Sequence, residues 1–290
     1  MKIIFSRKGW DSEYGGSPSP IFPDGLIHSL PIPEKGSGIC AANITPPSLS
    51  HHNVNLGQLF SDLSRGKLSG ATDIHLDPIP DHTITAAGSP ITAAGFGQCE
   101  AAAGHLDKQG VVRDSALFLF FGLFRRVHFI SGKWCYVRGA PKIHLIWGWM
   151  HVGSINKGPP FTGLHPGLAH HPHASPSRTY PNNRIYCPSI GFNIGDRHVP
   201  GSGVCLHYSS ARQLTQLTPN AGCSDWELPS WLVSENQIGM SYHTKREYSH
   251  NPSANPTVRF RSAAKGQEFV FDSNLSPSGV DAYLDSVLPL

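Results

Sequence analysis

The apolar run ALFLFFGLF at residues 116–124 is the stretch that decides the fold of this chain. All of its side chains are apolar apart from one glycine, so a strand built from it would be apolar on both faces. Strands of that kind lie in the middle of a sheet that is covered on both sides. A second apolar stretch at residues 143–152 predicts a second long strand. We therefore expect the core to form around a sheet that contains these two strands.

The composition favours short strands and many turns around this sheet. The 290 residues include 30 glycines and 25 prolines, and charged residues make up 15% of the chain. Glycine and proline are poor helix formers and favour turns. No internal repeat or low-complexity linker divides the sequence. We expect a strand-rich α+β fold that forms a single domain over residues 1–290, with a few helices and long loops.

Local patterns place the remaining elements. Helices are predicted at residues 56–63, 98–109 and 280–288. Further strands are predicted at residues 2–5, 184–186, 203–207 and 267–272. A long loop insertion is expected at about residues 156–183, which contain six prolines. Loops of that length inside a domain often serve a function.

Charge and cysteine content restrict the cellular setting. The formal net charge is only +3, so binding to nucleic acid would require a local basic patch. The six cysteines form no C-x-x-C pair, and we expect no secretory segment. The longest apolar stretch has nine residues, about half of what spans a bilayer. We expect a cytoplasmic protein with reduced thiols and no membrane contact.

The N-terminal turn at residues 6–16 carries cations, glycines and hydroxyl groups. Arg7 and Lys8, together with backbone N–H groups near the glycines and the hydroxyl of Ser12, could hold a phosphate. The segment is not a Walker A loop, because that loop requires a different glycine spacing. The alternative is a solvated turn in which Asp11 accepts hydrogen bonds from local backbone donors.

Four segments in the first half of the chain resemble a known family. They are the turn with SRKG at residues 6–9 followed by Asp11-Ser12, Gly15-Gly16 and Ser19-Pro20-Ile21, then HLDP at residues 75–78, residues 97–106, and residues 117–124. Together they resemble the third nucleotide-modification-associated domain family over roughly residues 3–152, with weaker similarity beyond. The resemblance implies a role in systems that make or handle modified nucleobases in DNA. It brings no settled catalytic residues, so the matching polar residues are candidates.

His75 and Asp77 lie two positions apart in the segment HLDP. On a strand, both side chains would point to the same face and could share a proton or a metal ion. The alternative is that Asp77 caps a turn before Pro78 and that His75 is a packed histidine.

Gln98 and His105 are seven residues apart, so both can lie on one face of the helix predicted at residues 98–109. There, Gln98 could recognise a base edge, and His105 a phosphate or a proton. The alternative is that the pair caps and packs the helix.

Strict alternation along residues 143–152 would place Trp147, Trp149 and His151 on one face. Tryptophans on such a face could stack on a base, at about 1–3 kcal/mol per contact. The alternative is a core face filled by tryptophans. The two apolar strands, with the basic pair at residues 125–126, also resemble those of small base-recognising barrels of the PUA and EVE type. A pocket in such a barrel would suit a flipped base.

Histidines concentrate in the predicted long loop, at His165, His170, His171 and His173. His171 and His173 could hold zinc with a third ligand. No carboxylate follows at a helical or hairpin spacing, however, and the alternative is a polar loop near a substrate. We assign no metal ligands from the sequence, and the cofactor and oligomeric state stay unknown.

Three functional hypotheses result. The first is an enzyme of nucleotide or DNA-base modification, a transferase or hydrolase that acts on a base or its sugar, with the catalytic candidates His75, Asp77 and Asp11. Its candidates for substrate binding are Arg7, Lys8, Ser12, Gln98, His105, Trp149 and His151. The second is a non-catalytic reader of modified bases in nucleic acid, and the third is a structural or regulatory partner. The first two predict that these groups converge on one cavity for a nucleotide or DNA.

Overall fold

The computed structural model describes most of the chain, and strands dominate it. The described residues are 1–46, 49, 52, 54–81, 85–86, 89–90, 92–169, 171–175, 179–234, 237–243, 248–249, 257–263, 268–275 and 279–289. Strand residues exceed helix residues, at 39% against 18%. The predicted strand-rich α+β class is confirmed, whereas the single-domain organisation over residues 1–290 stays a prediction.

The strands are short apart from two of 15 residues each. In chain order they are β1 (Lys2–Arg7), β2 (Ser19–Ile21), β3 (Ile32–Pro33), β4 (Ile44–Thr45), β5 (Ile74–His75), β6 (Thr85–Ala86), β7 (Ser89–Pro90), β8 (Phe96–Gln98), β9 (Ala116–Ile130), β10 (Lys133–Tyr136), β11 (Ile143–Lys157), β12 (Arg184–Pro188), β13 (Gly191–Ile194), β14 (Arg197–Pro200), β15 (Ser202–Val204), β16 (Asp225–Pro229), β17 (Val233–Ser234), β18 (Gln237–Ile238), β19 (Tyr248–Ser249), β20 (Thr257–Arg261) and β21 (Glu268–Asp272).

The described residues also contain three α-helices. They are α1 (Leu56–Leu63), α2 (Glu100–Lys108) and α3 (Val280–Val287). The side chain of Asn55 caps α1 by accepting the backbone N–H of Gln58, which places the start of this helix where the sequence predicts it. Among the residues described, no helix is both long and apolar enough to cross a bilayer.

Nine of the strands form one sheet that curls into a half-barrel. Its hydrogen-bonded order is β21-β1-β9-β11-β12-β8, with β2 and β10 joined to β9 and with β15 joined to β11. β1 runs parallel to β9, whereas β11 runs antiparallel to it. The apolar run at residues 116–124 therefore lies inside the sheet, as predicted. A PUA- or EVE-type arrangement stays a prediction.

Both faces of β9 are covered by aromatic side chains. Phe118 and Phe120 contact the ring of Phe96, with ring centres 4.9 and 5.3 Å apart. Phe121 instead contacts Trp226, at 5.1 Å. Phe118, Phe120 and Phe121 are completely buried. Burial on both faces is the physical reason for the uninterrupted apolar sequence.

The helix predicted from Gln98 begins at Glu100 instead. Gln98 is the last residue of β8, where it pairs with Arg184 of β12. Cys99 then occupies the N-cap position of α2. Because sheet pairing outweighs the helical pattern at residue 98, the prediction that Gln98 and His105 share one helical face is wrong.

The alternation predicted along the second long strand is interrupted inside β11. Its register with β9 shifts at Trp147, which is an extra residue. Trp147 stacks on Phe120, whereas Trp149 lies opposite Leu119. Consecutive residues of β9 point to opposite faces. The strict alternation predicted through Trp147, Trp149 and His151 is therefore interrupted at Trp147.

The predicted long loop corresponds to residues 158–183, which connect β11 to β12. It contains two short 3-10 helices, Pro166–Leu168 and Pro172–Ala174. The side chain of His171 accepts the backbone N–H of His173 at the start of the second one, at 3.2 Å. His170, named with the other loop histidines, lies outside the described residues, as does the first residue of the strand predicted at 267–272.

Candidate functional site

A buried carboxylate, that of Asp77, is surrounded by three histidines. Asp77 lies two residues after the end of β5, and its side chain is 4% exposed. Its Oδ1 lies 3.1 Å from Nε2 of His171. Its Oδ2 lies 3.6 Å from Nε2 of His75 and 3.9 Å from Nε2 of His173. These four residues are called the histidine–aspartate cluster below.

Two further polar side chains hold the rings of this cluster. Nδ1 of His75 lies 2.7 Å from Oε2 of Glu34, the residue that follows β3. Nδ1 of His173 lies 2.8 Å from Oδ1 of Asn183. The amide Nδ2 of Asn183 in turn donates to the backbone carbonyl of His173, at 2.9 Å. Both imidazoles are therefore fixed with Nε2 directed towards Asp77.

Gly97, in the middle of β8, makes room for the cluster. Its backbone N–H donates to Oδ1 of Asp77 at 2.8 Å. A Cβ at this position would lie 2.2 Å from Cδ2 of His173 and 2.9 Å from Cε1 of His171. Only glycine therefore allows both rings to pack against this strand.

Burial and hydrogen bonding act in opposite directions on the ionisable groups of the cluster. Burial alone would raise the pKa of Asp77, but hydrogen bonds with His171 and His75 hold it well below its usual range. Burial alone would lower the pKa of His75, but its hydrogen bonds to Asp77 and Glu34 raise it to about 9. Burial lowers the pKa of His173 to about 4. At neutral pH, Asp77 is therefore ionised, His75 charged and His173 neutral.

A second buried carboxylate, Glu268 of β21, collects other predicted site residues. Gln98 points away from the side of β8 that meets the histidines, because it follows Gly97 in the strand. Its Nε2 donates to Oε1 of Glu268 at 2.6 Å. The same oxygen accepts from Oγ of Ser6 at 3.3 Å and from Nζ of Lys8 at 3.2 Å. Ser6, Lys8, Gln98 and Glu268 are called the glutamate cluster below.

His105 lies beside the glutamate cluster. Its Nε2 is 3.1 Å from Oγ of Ser241, a hydroxyl that also accepts the backbone N–H of Val270. Burial lowers the pKa of His105, although the charge of Glu268 acts in the opposite direction. Gln98 and His105 thus share Glu268 as a neighbouring charge and do not share a helical face.

Cys99, between β8 and α2, is within electrostatic range of both clusters. Burial raises the pKa of its thiol to about 11, and the charges of Glu100, Asp77 and Glu268 act in the same direction. The thiol is therefore protonated at neutral pH and is not an activated nucleophile.

A large cavity reaches the histidine–aspartate cluster at Asp77. Its volume is 870 Å³, and apolar atoms form most of its wall. Burial lowers the pKa of the wall residue His28 to about 4, so this ring is neutral. Its lining residues include Gly9, His28, Asp77, Trp147, Trp149 and His207.

The two N-terminal cations have different neighbours. The guanidinium of Arg7 lies 5.7 Å from the ring centre of Phe121, and its Nη2 donates to the carbonyl oxygen of Ala263 at 3.1 Å. Lys8 belongs to the glutamate cluster. Within the described part of the chain, neither cation lines the cavity, although Gly9 does. The structure does not bring Arg7 and Lys8 together at one phosphate site.

Three other candidates lie apart from the described cavity wall. Oδ1 of Asp11 accepts two backbone N–H groups of its own turn, at 2.8 and 2.7 Å, as the structural alternative predicts. Ser12 is exposed in that turn. His151 stacks on Phe192 at 4.7 Å, and its Nδ1 lies 2.8 Å from Oγ of Ser189. These side chains do not contribute to the two clusters.

Sequence reasoning misses several residues that complete the clusters. The chain offers no local signal for Glu34, Asn183 or Glu268. The carboxylate that accompanies the loop histidines is Asp77, 94 residues before His171. A search at helical or hairpin spacing cannot find a partner at that distance in sequence.

The fold and these clusters define a strand-rich α+β protein with a histidine–aspartate site at a large cavity. Residues 2–272 match the family described as nucleotide modification associated domain 3, so the chain belongs to this family. The resemblance of the N-terminal segments is thereby confirmed, and the match extends to β21 and its Glu268. Membership links the protein to nucleotide modification. No curated protein and no solved structure shows a significant match.

Proposed function

We propose that the protein is an enzyme of nucleotide or DNA-base modification, in which the cavity holds a base-containing substrate and the histidine–aspartate cluster acts on it. The reaction is group transfer to, or hydrolysis at, the base or its sugar. One observation carries the proposal: Asp77 belongs both to the cavity wall and to the buried cluster. Family membership supports the class of substrate.

The size and lining of the cavity support a base-containing ligand. Small-molecule sites have volumes of about 300–1,000 Å³, and this cavity has 870 Å³. Trp147 and Trp149 line it, and stacking of a base on an aromatic ring contributes about 1–3 kcal/mol. His207 adds ring nitrogens that can form hydrogen bonds with the polar edges of a base.

The cluster can handle a proton at the cavity wall. The charged ring of His75 lies between the carboxylates of Asp77 and Glu34. The cluster can therefore exchange a proton with a leaving group or a ring nitrogen through Asp77, its member in the described cavity wall, and Asp77 stabilises the charged form of His75. Proton donation of this kind is the step that hydrolysis and group transfer at a base have in common.

Arg7, Lys8, Asp11, Ser12 and His151 are not part of this proposal, because none of them belongs to the described cavity wall or to the histidine–aspartate cluster. Gln98 and His105 have only an indirect role in this proposal. Gln98 follows Gly97 in β8 and donates to Glu268, and the charge of Glu268 acts on His105. Among the candidates for substrate binding, Trp149 has the best support.

Nucleoside mass spectrometry of DNA and of free nucleotide pools tests the proposal, in cells with and without the gene. We expect a nucleoside that appears or disappears with the gene. Cells with Asp77→Asn should match the deletion, and cells with Asp11→Asn, a carboxylate of the N-terminal turn, should match the wild type. Identical nucleosides in all four strains contradict an enzymatic role.

A non-catalytic reader of modified bases is the second candidate, favoured by the aromatic part of the cavity wall. A reader would bind oligonucleotides equally well after Asp77→Asn and would lose affinity after Trp149→Ala, as measured by calorimetry. It would leave the nucleosides of the cell unchanged. The enzyme predicts the opposite result for the nucleosides.

A further inference from the structure

We propose that His75, Asp77 and His173 bind a divalent first-row transition metal ion, through Nε2 of both histidines and Oδ2 of the aspartate. The inference deepens the proposed function, because it gives the reactive centre a metal ion. It stands on the geometry of the cluster and on the hydrogen bonds that orient each donor atom.

The three donor atoms are close enough to share one ion. They all lie within 4.8 Å of one another, and Oδ2 of Asp77 is 3.6 and 3.9 Å from the two Nε2 atoms. Donors around a tetrahedral ion with bonds of about 2.0–2.1 Å are about 3.3 Å apart. The two separations from Oδ2 are slightly longer and the two Nε2 atoms lie within 4.8 Å of each other, so rotations of the rings are needed to bring all three donors onto an ion.

The proton on each ligating ring is placed by its outer partner. Because Nδ2 of Asn183 donates to the carbonyl of His173, its Oδ1 is an acceptor and Nδ1 of His173 carries the proton. Nδ1 of His75 likewise donates to Glu34. In both rings Nε2 is then the nitrogen that can bind a metal. Metal-binding histidines in proteins almost always have such a carboxylate or carbonyl partner on the other nitrogen.

His171 orients the carboxylate and is not a ligand. Its Nδ1 accepts the backbone N–H of His173, so a neutral ring carries its proton on Nε2. That Nε2 is 3.1 Å from Oδ1 of Asp77, which also accepts the N–H of Gly97. Oδ1 is thus occupied by two donors, and Oδ2 is left to face the other two histidines.

The donor set identifies the class of ion. Two imidazoles and one carboxylate suit zinc, ferrous iron and related transition ions, whereas magnesium and calcium prefer oxygen ligands throughout. Three protein ligands leave a coordination position for water or substrate, as in catalytic metal sites. The ion would lie between Nε2 of His75 and Oδ2 of Asp77, where the Nε2 proton of the charged ring lies. Metal binding therefore displaces that proton.

Cobalt(II) titration of the metal-stripped full chain tests the inference directly, with visible absorption as the readout and metal analysis of the purified protein beside it. We expect one ion per chain. His75→Gln, His173→Gln and Asp77→Asn should each weaken binding at least 100-fold. His151→Gln and His105→Gln, two histidines outside the cluster, should bind as the wild type does.

His171→Gln separates ligand from orienting residue. It should keep one ion per chain, with an affinity lowered about 10–100-fold, as for other outer partners of metal ligands. Circular dichroism checks that each variant is folded. If a histidine variant unfolds, the test rests on Asp77→Asn, which keeps the shape of the side chain. No binding by the wild type, or unchanged binding in Asp77→Asn, would overturn the inference.

The same experiment distinguishes the metal from the reaction, because the titration contains no nucleotide. One ion per chain without any change in cellular nucleosides would support the metal site and contradict the proposed enzyme. Nucleosides that change with the gene, together with no cobalt binding by the wild type, would contradict the metal site and leave the proposed enzyme in place.

Discussion

The histidine–aspartate cluster and the glutamate cluster are two buried carboxylate sites with different partners. The side chain of Glu268 is 1% exposed and that of Lys8 is 10% exposed. Glu268 accepts hydrogen bonds from Lys8, Ser6 and Gln98. Asp77 is 4% exposed and receives His171 and the backbone of Gly97 on one oxygen. Its second oxygen faces two histidines at 3.6 and 3.9 Å. Only Asp77 also touches the described cavity wall.

The difference shows that burial of a carboxylate does not by itself define a functional site. Nζ of Lys8, the residue after β1, lies 3.2 Å from Oε1 of Glu268, and this ion pair holds the end of β1 against β21. The imidazole rings beside Asp77 can be neutral, protonated or bound to a metal ion. Either a proton or a metal ion can therefore lie between the rings and Oδ2 of Asp77. A group that can change its state at a cavity wall is suited to chemistry, whereas a completed ion pair is suited to stability.

Asp77→Asn gives the largest effect that this comparison predicts. Activity on the nucleoside found by mass spectrometry should fall at least about 100-fold, the usual contribution of a positioned acid or base. The fold should survive, because the amide oxygen can still accept from His171 and Gly97. Measurement of product formation together with thermal unfolding checks both parts. An active Asp77→Asn protein would contradict the functional role proposed for the histidine–aspartate cluster.

Glu268→Ala should give the largest loss of stability. It leaves Lys8 buried without its carboxylate, which costs about 3–5 kcal/mol. Asp272→Ala is the matched control, because Asp272 of β21 pairs with Lys2 of β1 but is 30% exposed. Its loss should be at most about 1 kcal/mol. Urea unfolding measures both values, and equal losses would contradict the assigned structural role of Glu268.

Gly97→Ala should displace the rings of the histidine–aspartate cluster and lower the free energy of unfolding by about 1–3 kcal/mol, the cost of overpacking a filled interior. The added Cβ would lie 2.2 Å from His173. Gly104→Ala in α2 is the control, since its Cβ would meet nothing within 4 Å. It should stabilise the protein by up to about 1 kcal/mol. Thermal unfolding and cobalt titration of both variants check this, and a normal metal site in Gly97→Ala would contradict it.

Trp149→Ala sharpens the comparison at the cavity itself. Loss of one stacking surface should reduce affinity for a base-containing ligand by about 1–3 kcal/mol, or roughly 5–150-fold. Trp134→Ala is the control, because Trp134 is equally buried but packs in a hydrophobic cluster that includes the apolar residues of α1. Calorimetry with nucleotides and short oligonucleotides gives both affinities. Equal affinities in the two variants would exclude base stacking on Trp149.

Much of the fold follows from local sequence patterns. The run at residues 116–124 predicts a central strand because only burial on both faces tolerates so many apolar side chains. The helix at residues 56–63 has its own cap in Asn55 and needs no distant partner. Gln98 and Trp147 show where local patterns fail. Pairing with β12 draws Gln98 into a strand, and a register shift against β9 moves Trp147 out of alternation.

The candidate site could be predicted only in parts. His75 and Asp77 are close in sequence, so a strand pattern brings them together as a candidate pair. His171 and His173 form a second local pair in the long loop. That both pairs form one cluster depends on β8, whose Gly97 N–H binds Asp77 and whose open side accepts the two loop rings. No spacing rule connects residues that are 94 positions apart.

The sequence by itself determined the strand-rich class, the central strand, the family and the identity of the histidines and carboxylates that can carry chemistry. These features depend on side-chain polarity and on neighbours a few positions away. Only the tertiary structure decided which charges meet. Lys8 ends at Glu268, 260 residues further on, and not at a phosphate site with Arg7. Strand pairing over such separations sets the distances between side chains. Those distances pair the carboxylate of Glu268 with a lysine and leave one oxygen of Asp77 facing two histidines.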